Sequence, residues 1–246
     1  MKKYILLLIA ILFLSSSAAY SDNQNYDYFA MNYGLKCTKF KDSGKKIEYC
    51  YALFNKKNKE PYTLLLVLHS GIERGDNLQA LTFPALKPLF EYATKNNKKL
   101  LVLIPQYPRI FGHFSEENNK LVVRLVKKYI NQYNIPHKKI YITGASLGGK
   151  ATHSIIYDNP VLFSKALLVS YISSKIEILK KFEFIELYYV YGENDYKKLP
   201  ELLSKQKQLP FKMNMKYKIL KNKNHIETID EAYYDSELWD WMFKEK

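Results

Sequence analysis

Cysteine is nearly absent from this chain, with two in 246 residues, which excludes a small scaffold stapled by several disulfides. Glycine and proline number nine each, too few for collagen-like repeats or a low-complexity chain. Acidic residues are short as well: 24 Asp+Glu stand against 38 Lys+Arg, for a net charge of +14. Such an excess can serve polyanion binding. Here the lysines are spread through every segment (Lys56, Lys57, Lys98, Lys99, Lys127, Lys128, Lys180, Lys181), with no arginine-rich stripe and no nucleic-acid motif. They read as solvated faces and compositional bias, and no nucleic-acid partner is expected. Long apolar runs are missing too. The run from Tyr4 to Leu14 falls well short of the about 20 residues that a membrane-spanning helix needs, so no stable membrane anchor is expected.

What is present describes a globular protein: 47% hydrophobic, 15% aromatic and 25% charged residues. The length supports one large core. At the N-terminus, Lys2 and Lys3 precede the apolar run, and Ser15-Ser16-Ser17-Ala18-Ala19 offers small residues for cleavage. That order is the order of a secretory signal. The expectation is a signal peptide over residues 1–19 and one domain over 20–246, with the mature protein starting near Tyr20 or Asp22 in the periplasm or outside the cell.

Export permits a disulfide. Cys37 and Cys50 flank Asp42-Ser43-Gly44-Lys45 within two short β-type runs, which reads as a hairpin. A two-residue turn at Ser43-Gly44 pairs Phe40 with Ile47, Lys39 with Glu48 and Cys37 with Cys50. Position 37/50 is then a non-hydrogen-bonded pair, where Cα atoms lie about 4.5 Å apart, a separation a disulfide accepts. A structural Cys37–Cys50 bridge is expected, the alternative being two buried, unpaired thiols.

Beyond the hairpin, apolar β-type runs alternate with helical stretches, the pattern of a parallel sheet built from βα units. The expected strands are Thr63–His69, Leu100–Pro105, Ile140–Gly144, Ala166–Tyr171, Leu187–Tyr191 and Tyr217–Leu220. Between them, helices are expected over Leu78–Asn97, Glu116–Asn134, Leu147–Asp158, Tyr196–Gln208 and Ile229–Lys244. Strands such as Leu64-Leu65-Leu66-Val67-Leu68 are apolar on both faces, so helices should cover both sides of the sheet. The fold class is therefore α/β: a mostly parallel central sheet with an N-terminal antiparallel hairpin.

The sharpest chemical signal is Gly144-Ala145-Ser146-Leu147-Gly148-Gly149, a G-x-S-x-G match where a strand ends and a helix begins. That turn strains the serine backbone and lifts its hydroxyl above the sheet, marking Ser146 as a nucleophile. In this arrangement an acid and then a histidine follow the serine. Of five histidines only His153 and His225 lie beyond it. His153 sits seven residues into the following helix and reads as a packed or solvated helix residue. His225, in the polar loop Lys221–His225, is the expected general base. Asp195 follows the Leu187–Val190 run in Gly192-Glu193-Asn194-Asp195 and is the expected orienting acid. Glu193 is its nearest competitor, and Asp158 reads as a helix stop with Asn159-Pro160. The oxyanion needs two backbone amides, one from Leu147 and one from the loop His69–Gly75, where Gly71 is the candidate. His69 reads as a residue bracing that loop.

As a set, Leu68–Asn77, Pro105-Gln106, Ile140–Gly149, Gly192–Asp195, His225 and Tyr234–Met242 resemble the secreted α/β-hydrolases known as predicted peptidases. Those enzymes are related to phospholipase/carboxylesterases, dienelactone-hydrolase-like enzymes and polyhydroxybutyrate-depolymerase-type esterases. The resemblance implies an α/β-hydrolase fold, a Ser146/Asp195/His225 triad and an oxyanion hole at Gly71 and Leu147. Ser70 and Ile72 depart from the family pattern, which has glycine at both positions. That leaves open whether Ile72 narrows the acyl side or shifts the Gly71 amide. Glu73 and Arg74 match the pattern and read either as an ion pair bracing the loop or as substrate contacts.

Between the strands near Tyr171 and Leu187 too few residues remain for a large cap, so an open site for esters is expected. The loop Gln106–Phe114, with Tyr107, Arg109, Phe111, His113 and Phe114, is the expected pocket wall, aromatic with a basic handle. The expected activity is hydrolysis of small-molecule or polymeric carboxylic esters through an acyl-serine, without metal or cofactor. The alternatives are a secreted serine peptidase, an acyltransferase and a catalytically silent binding protein; oligomeric state is left open.

Overall fold

A computed structural model of the chain describes residues 24–109, 115–173, 175, 179–195 and 199–244. Its first sheet element is the hairpin of β1 (Lys36–Asp42) and β2 (Lys45–Leu53). Ser43 (φ 49°) and Gly44 (φ 75°) both take left-handed backbone, the two-residue turn whose twist suits antiparallel strands. That turn sets the anticipated register, with Phe40 opposite Ile47 and Cys37 opposite Cys50. Cys37 and Cys50 form a disulfide with their Cα atoms 4.0 Å apart.

The remaining strands are β3 (Thr63–Leu68), β4 (Leu100–Gln106), β5 (Ile140–Ala145), β6 (Lys165–Val169), β7 (Glu186–Gly192) and β8 (Met215–Leu220). They form one eight-stranded sheet in the order β1-β2-β4-β3-β5-β6-β7-β8. β2 runs antiparallel to both of its neighbours, and the pairs from β4 across to β8 are parallel. β4, β5 and β6 are buried along their whole length, as their unbroken apolar runs require, whereas the edge strand β8 alternates lysine with apolar residues and stays largely exposed. Two side-chain layers result. Leu64, Leu66 and Leu68 pack with α3 (Glu116–Tyr133) and α4 (Leu147–Asp158); Leu65 and Val67 pack with α2 (Leu86–Lys95) and the C-terminal helices.

Three helical expectations need correction. The stretch Leu78–Asn97 is a short 3-10 turn at Gln79–Thr82 followed by α2, because Phe83 precedes Pro84 and is extended (ψ 125°). The last stretch, expected as one helix over Ile229–Lys244, is two: α6 (His225–Ala232) and α7 (Ser236–Phe243), separated where Asp235 caps the second by accepting from the Glu237 amide at 3.0 Å. His225, expected in a loop, is the first residue of α6. Residues 24–33 form α1, which the sequence reading did not contain; Phe29 anchors it edge-to-face on Phe90 at 5.1 Å. Between β7 and β8 lies α5 (Leu199–Gln206). Among the described residues no helix is long and apolar enough to cross a membrane.

The sheet order fixes where a ligand can enter. From β3 the chain steps outward to β4, then returns to the other side of β3 for β5. The loops leaving β3 and β5 therefore diverge, opening a crevice at the carboxyl ends of these strands. The β6–β7 connection spans only residues 170–185, short for a domain-sized lid.

Closing the 13-residue separation between Cys37 and Cys50 restricts the unfolded chain. The double variant Cys37→Ser/Cys50→Ser should lose about 2–3 kcal/mol of unfolding free energy in urea titration. An unchanged midpoint would show that the bridge contributes nothing to stability.

Candidate active site

Ser146 is held between β5 and α4 in a conformation L-residues rarely adopt, φ 52° and ψ −114°. Its amide donates to the Val169 carbonyl at 2.9 Å, tying the bend to β6. The first turn of α4 lies against the end of β3, so that a Cβ on Gly148 would run into the Leu68 and His69 carbonyls. Only glycine permits that approach.

His225 bridges the serine and the aspartate. Its Nδ1 donates to Asp195 Oδ1 at 2.7 Å, which leaves the lone pair on Nε2 to accept from Ser146 Oγ at 2.8 Å. Asp195 is 4% exposed and His225 38%, so the imidazole stands between a covered carboxylate and solvent. The second carboxylate oxygen of Asp195 is buried without a hydrogen-bond partner among the described residues. A capping box sets His225 at the start of α6: the Asn224 side chain accepts from the Ile226 and Glu227 amides, both at 3.1 Å, and Glu227 accepts from the Asn224 amide at 2.9 Å. The sequence Asn224-His225-Ile226-Glu227 carries that signal, although it reads as loop if the preceding lysine-rich run is weighed alone. The β7 loop meets this turn at contact distance, since Gly192 has no room for a Cβ beside Lys223 and Thr228. Glu193, the competing acid, is used as a strut: its carboxylate accepts from the Asn222 amide at 2.9 Å.

The loop after β3 is fixed from beneath. His69 is fully buried; its Nδ1 donates to the Ser70 carbonyl at 2.7 Å and its Nε2 accepts from the Tyr107 amide at 3.0 Å. Burial, aided by the nearby Arg74 charge and opposed by the Ser70 hydrogen bond, lowers its pKa from 6.5 to about 4. Gln106 joins three backbone segments, accepting from the Ala80 amide at 2.6 Å and donating to the Glu73 and Tyr107 carbonyls at 3.0 and 3.1 Å. Ser70 Oγ accepts from the Ile72 amide at 3.2 Å, and Arg74 Nε donates to the Gly71 carbonyl at 2.5 Å. Gly71 sits against Leu147, where a Cβ would come within 2.9 Å of the leucine Cδ1. Ile72 is 66% exposed and stands at the rim, so its bulk is directed away from the packed base of the loop.

Ser146, His225, Gly71 and Leu147 border one cleft of about 430 Å³. Ile72, Ile226 and Ile229 supply its apolar surface, and Arg74 and Arg109 its charge. One expectation for the pocket wall is modified. Tyr107 is fully buried, with its hydroxyl donating to Asn119 Oδ1 at 2.9 Å, because its backbone belongs to the brace around His69; it packs under the site rather than lining it. Phe111, with His113 and Phe114, lies outside the described residues. Arg109 does reach the cleft, and the isoleucines of α6 are wall residues that sequence reading missed. His153 is a core residue, 2% exposed, with Nε2 2.8 Å from the Tyr189 hydroxyl and burial lowering its pKa to about 3.

No protein-family model matches the chain, and no curated protein does so either. Solved structures share its fold. A thermostable esterase is 22% identical, with a TM-score of 0.71 over 85% of this chain and 62% of the esterase, so the chain spans less than two thirds of that protein's length. The S-formylglutathione hydrolase FrmB of Staphylococcus aureus is 16% identical at TM-score 0.63, covering 85% of this chain and 96% of that one. A feruloyl esterase module from Clostridium thermocellum, complexed with sinapinate, is 13% identical at TM-score 0.62, over 81% and 85%. With the strand order above, these likenesses establish the α/β-hydrolase fold.

Because His69 and His153 have folded-state pKa values near 4 and 3, below the 6.5 of an unfolded histidine, the unfolded chain binds more protons as pH falls below 6.5. Their contribution to stability is complete above that pH and is lost progressively as pH drops, toward 4 for His69 and toward 3 for His153. Denaturation midpoints from pH 7 to 4.5 should fall, and imidazole nitrogen NMR should show His69 still neutral and protonated at Nδ1 at pH 5.5. A His69 that titrates near 6.5 would contradict the burial argument.

Proposed function

We propose that this protein is a serine hydrolase that cleaves carboxylic esters through an acyl-serine intermediate, with Ser146, His225 and Asp195 as its triad. The observation that carries the reading is the continuous hydrogen-bond chain from Asp195 through His225 to Ser146 at the mouth of an open cleft. His225 Nε2 takes the Ser146 proton as Oγ attacks the ester carbonyl, and Asp195 holds the imidazole in the required tautomer and stabilises its cation. The oxyanion that forms is received by the amides of Gly71 and Leu147. Leu147 opens α4, where first-turn amides have no partner within the helix. Gly71 lies opposite, on a loop whose Ile72 amide is already committed to Ser70. Collapse of the intermediate passes the proton from His225 to the departing alcohol oxygen, and water repeats the sequence to release the acid. That esterases are among the proteins sharing this fold supports the same chemistry. The disulfide fits synthesis for an oxidising compartment, in line with export directed by residues 1–19.

Fluorophosphonate labelling of the mature protein should place an adduct on Ser146 and none on the Ser146→Ala variant. The same variant should lose about 10³-fold or more in the rate of p-nitrophenyl butyrate hydrolysis. Folded wild-type protein that takes no label and cleaves no ester would move a silent binding role to first place.

A further inference from the structure

The chain builds its positive charge almost entirely from lysine. Of 38 Lys+Arg residues, only Arg74, Arg109 and Arg124 are arginine, and two of those three line the cleft beside Ser146. Arginine differs from lysine in holding a planar fork of donors that matches a carboxylate or phosphate in two-point contact. Arg124, the third arginine, is paired with Asp42 at the surface, and the other two stand at the cleft.

The two side chains arrive from different loops. Arg74 leaves the loop after β3, and its Nε bond to the Gly71 carbonyl sets it next to the amide assigned to the oxyanion. Arg109 leaves the loop after β4; its Nε donates to the Arg74 carbonyl at 3.4 Å while the side chain remains exposed. Two cations are thereby brought to one cleft, and no carboxylate is found among the described residues that line it. The Asp195 carboxylate lies covered under His225, and Glu73 is only 6% exposed. Like charges placed together favour a ligand of opposite sign. Ile72, Leu147, Ile226 and Ile229 supply apolar wall around Ser146 and His225.

Building on the proposed ester hydrolysis, we infer that the preferred substrates are anionic esters: an apolar body bearing the scissile ester and, within reach of Arg74 and Arg109, a free carboxylate. The charge can reside on the acyl arm or on the alcohol arm. The net charge of +14 would add to the capture of such molecules.

Two matched pairs test this. Mono-p-nitrophenyl glutarate against p-nitrophenyl pentanoate places the charge on the acyl arm, and 4-acetoxybenzoate against its methyl ester places it on the alcohol arm. Each kcat/KM is divided by the hydroxide-catalysed rate of the same ester. The anionic member of at least one pair should be favoured about tenfold by wild type. Arg109→Gln should bring the ratio toward one, Arg109→Lys should restore part of it, and 0.5 M salt should reduce it. Equal or lower rates for the anionic member in both pairs would overturn the inference, as would a preference that survives both Arg109→Gln and Arg74→Gln. So would an enzyme that labels at Ser146 yet cleaves none of the four esters. Absence of both labelling and turnover would instead remove the hydrolase reading itself, and this inference with it. Normal labelling with no anionic preference removes the inference alone.

Discussion

The contact on which the site depends is the approach of the first turn of α4 to the end of β3, where Gly148 lies against the Leu68 and His69 carbonyls. It can close only because β3 and β5 are adjacent parallel strands and because position 148 carries no side chain. From it follow the left-handed backbone of Ser146, the exposure of its hydroxyl and the nearness of Leu147 to Gly71. A residue held at such φ and ψ costs of the order of 1–3 kcal/mol, tolerable only where the surroundings leave no alternative. Here the surroundings are a sheet buried on both faces, with the Ser146 amide bonded to β6.

A second set of bonds serves the same end from below. His69, Gln106 and Ser70 satisfy the backbone of the β3 loop with side chains rather than with strand pairing. This is how a loop between a sheet and an open cleft avoids leaving polar groups unpaired. The neutral state of His69 belongs to this arrangement, since one ring nitrogen must donate and the other accept for both contacts to exist. On the far side, Asn224, Glu227 and Glu193 do the equivalent for the turn carrying His225. The groups proposed to react thus stand on loops held in place by side-chain hydrogen bonds to their backbone.

Much of this was legible in the residues. The alternation of apolar runs gave the strand set to within one or two residues, and the Ser43-Gly44 turn placed Cys37 opposite Cys50 because register in a two-residue hairpin leaves no freedom. Ser146, Asp195 and His225 each follow a strand of one parallel sheet, so their convergence at one edge was implied by the pattern itself. Tyr107 was misread for an instructive reason. An aromatic residue in a loop near a site can face the cleft or the core, and only the hydrogen bonds of its amide to His69 and its hydroxyl to Asn119 decide which. Helix ends were misplaced where a local signal, Pro84 after Phe83 or Asp235 before α7, interrupted a periodic stretch that looked continuous.

Local signals along the chain set the alternation of strands and helices, the strained serine turn, the hairpin register and the order of the candidate reacting residues. All of these rest on interactions between residues close in the chain or on a repeating period. Tertiary structure alone decided that Glu193 is a strut while Asp195 meets His225, that Ile226 and Ile229 wall the cleft, and that Arg74 and Arg109 share it. Each of those facts depends on the distance between loops that leave different strands, and that distance is set by strand order and sheet twist, which no local pattern encodes.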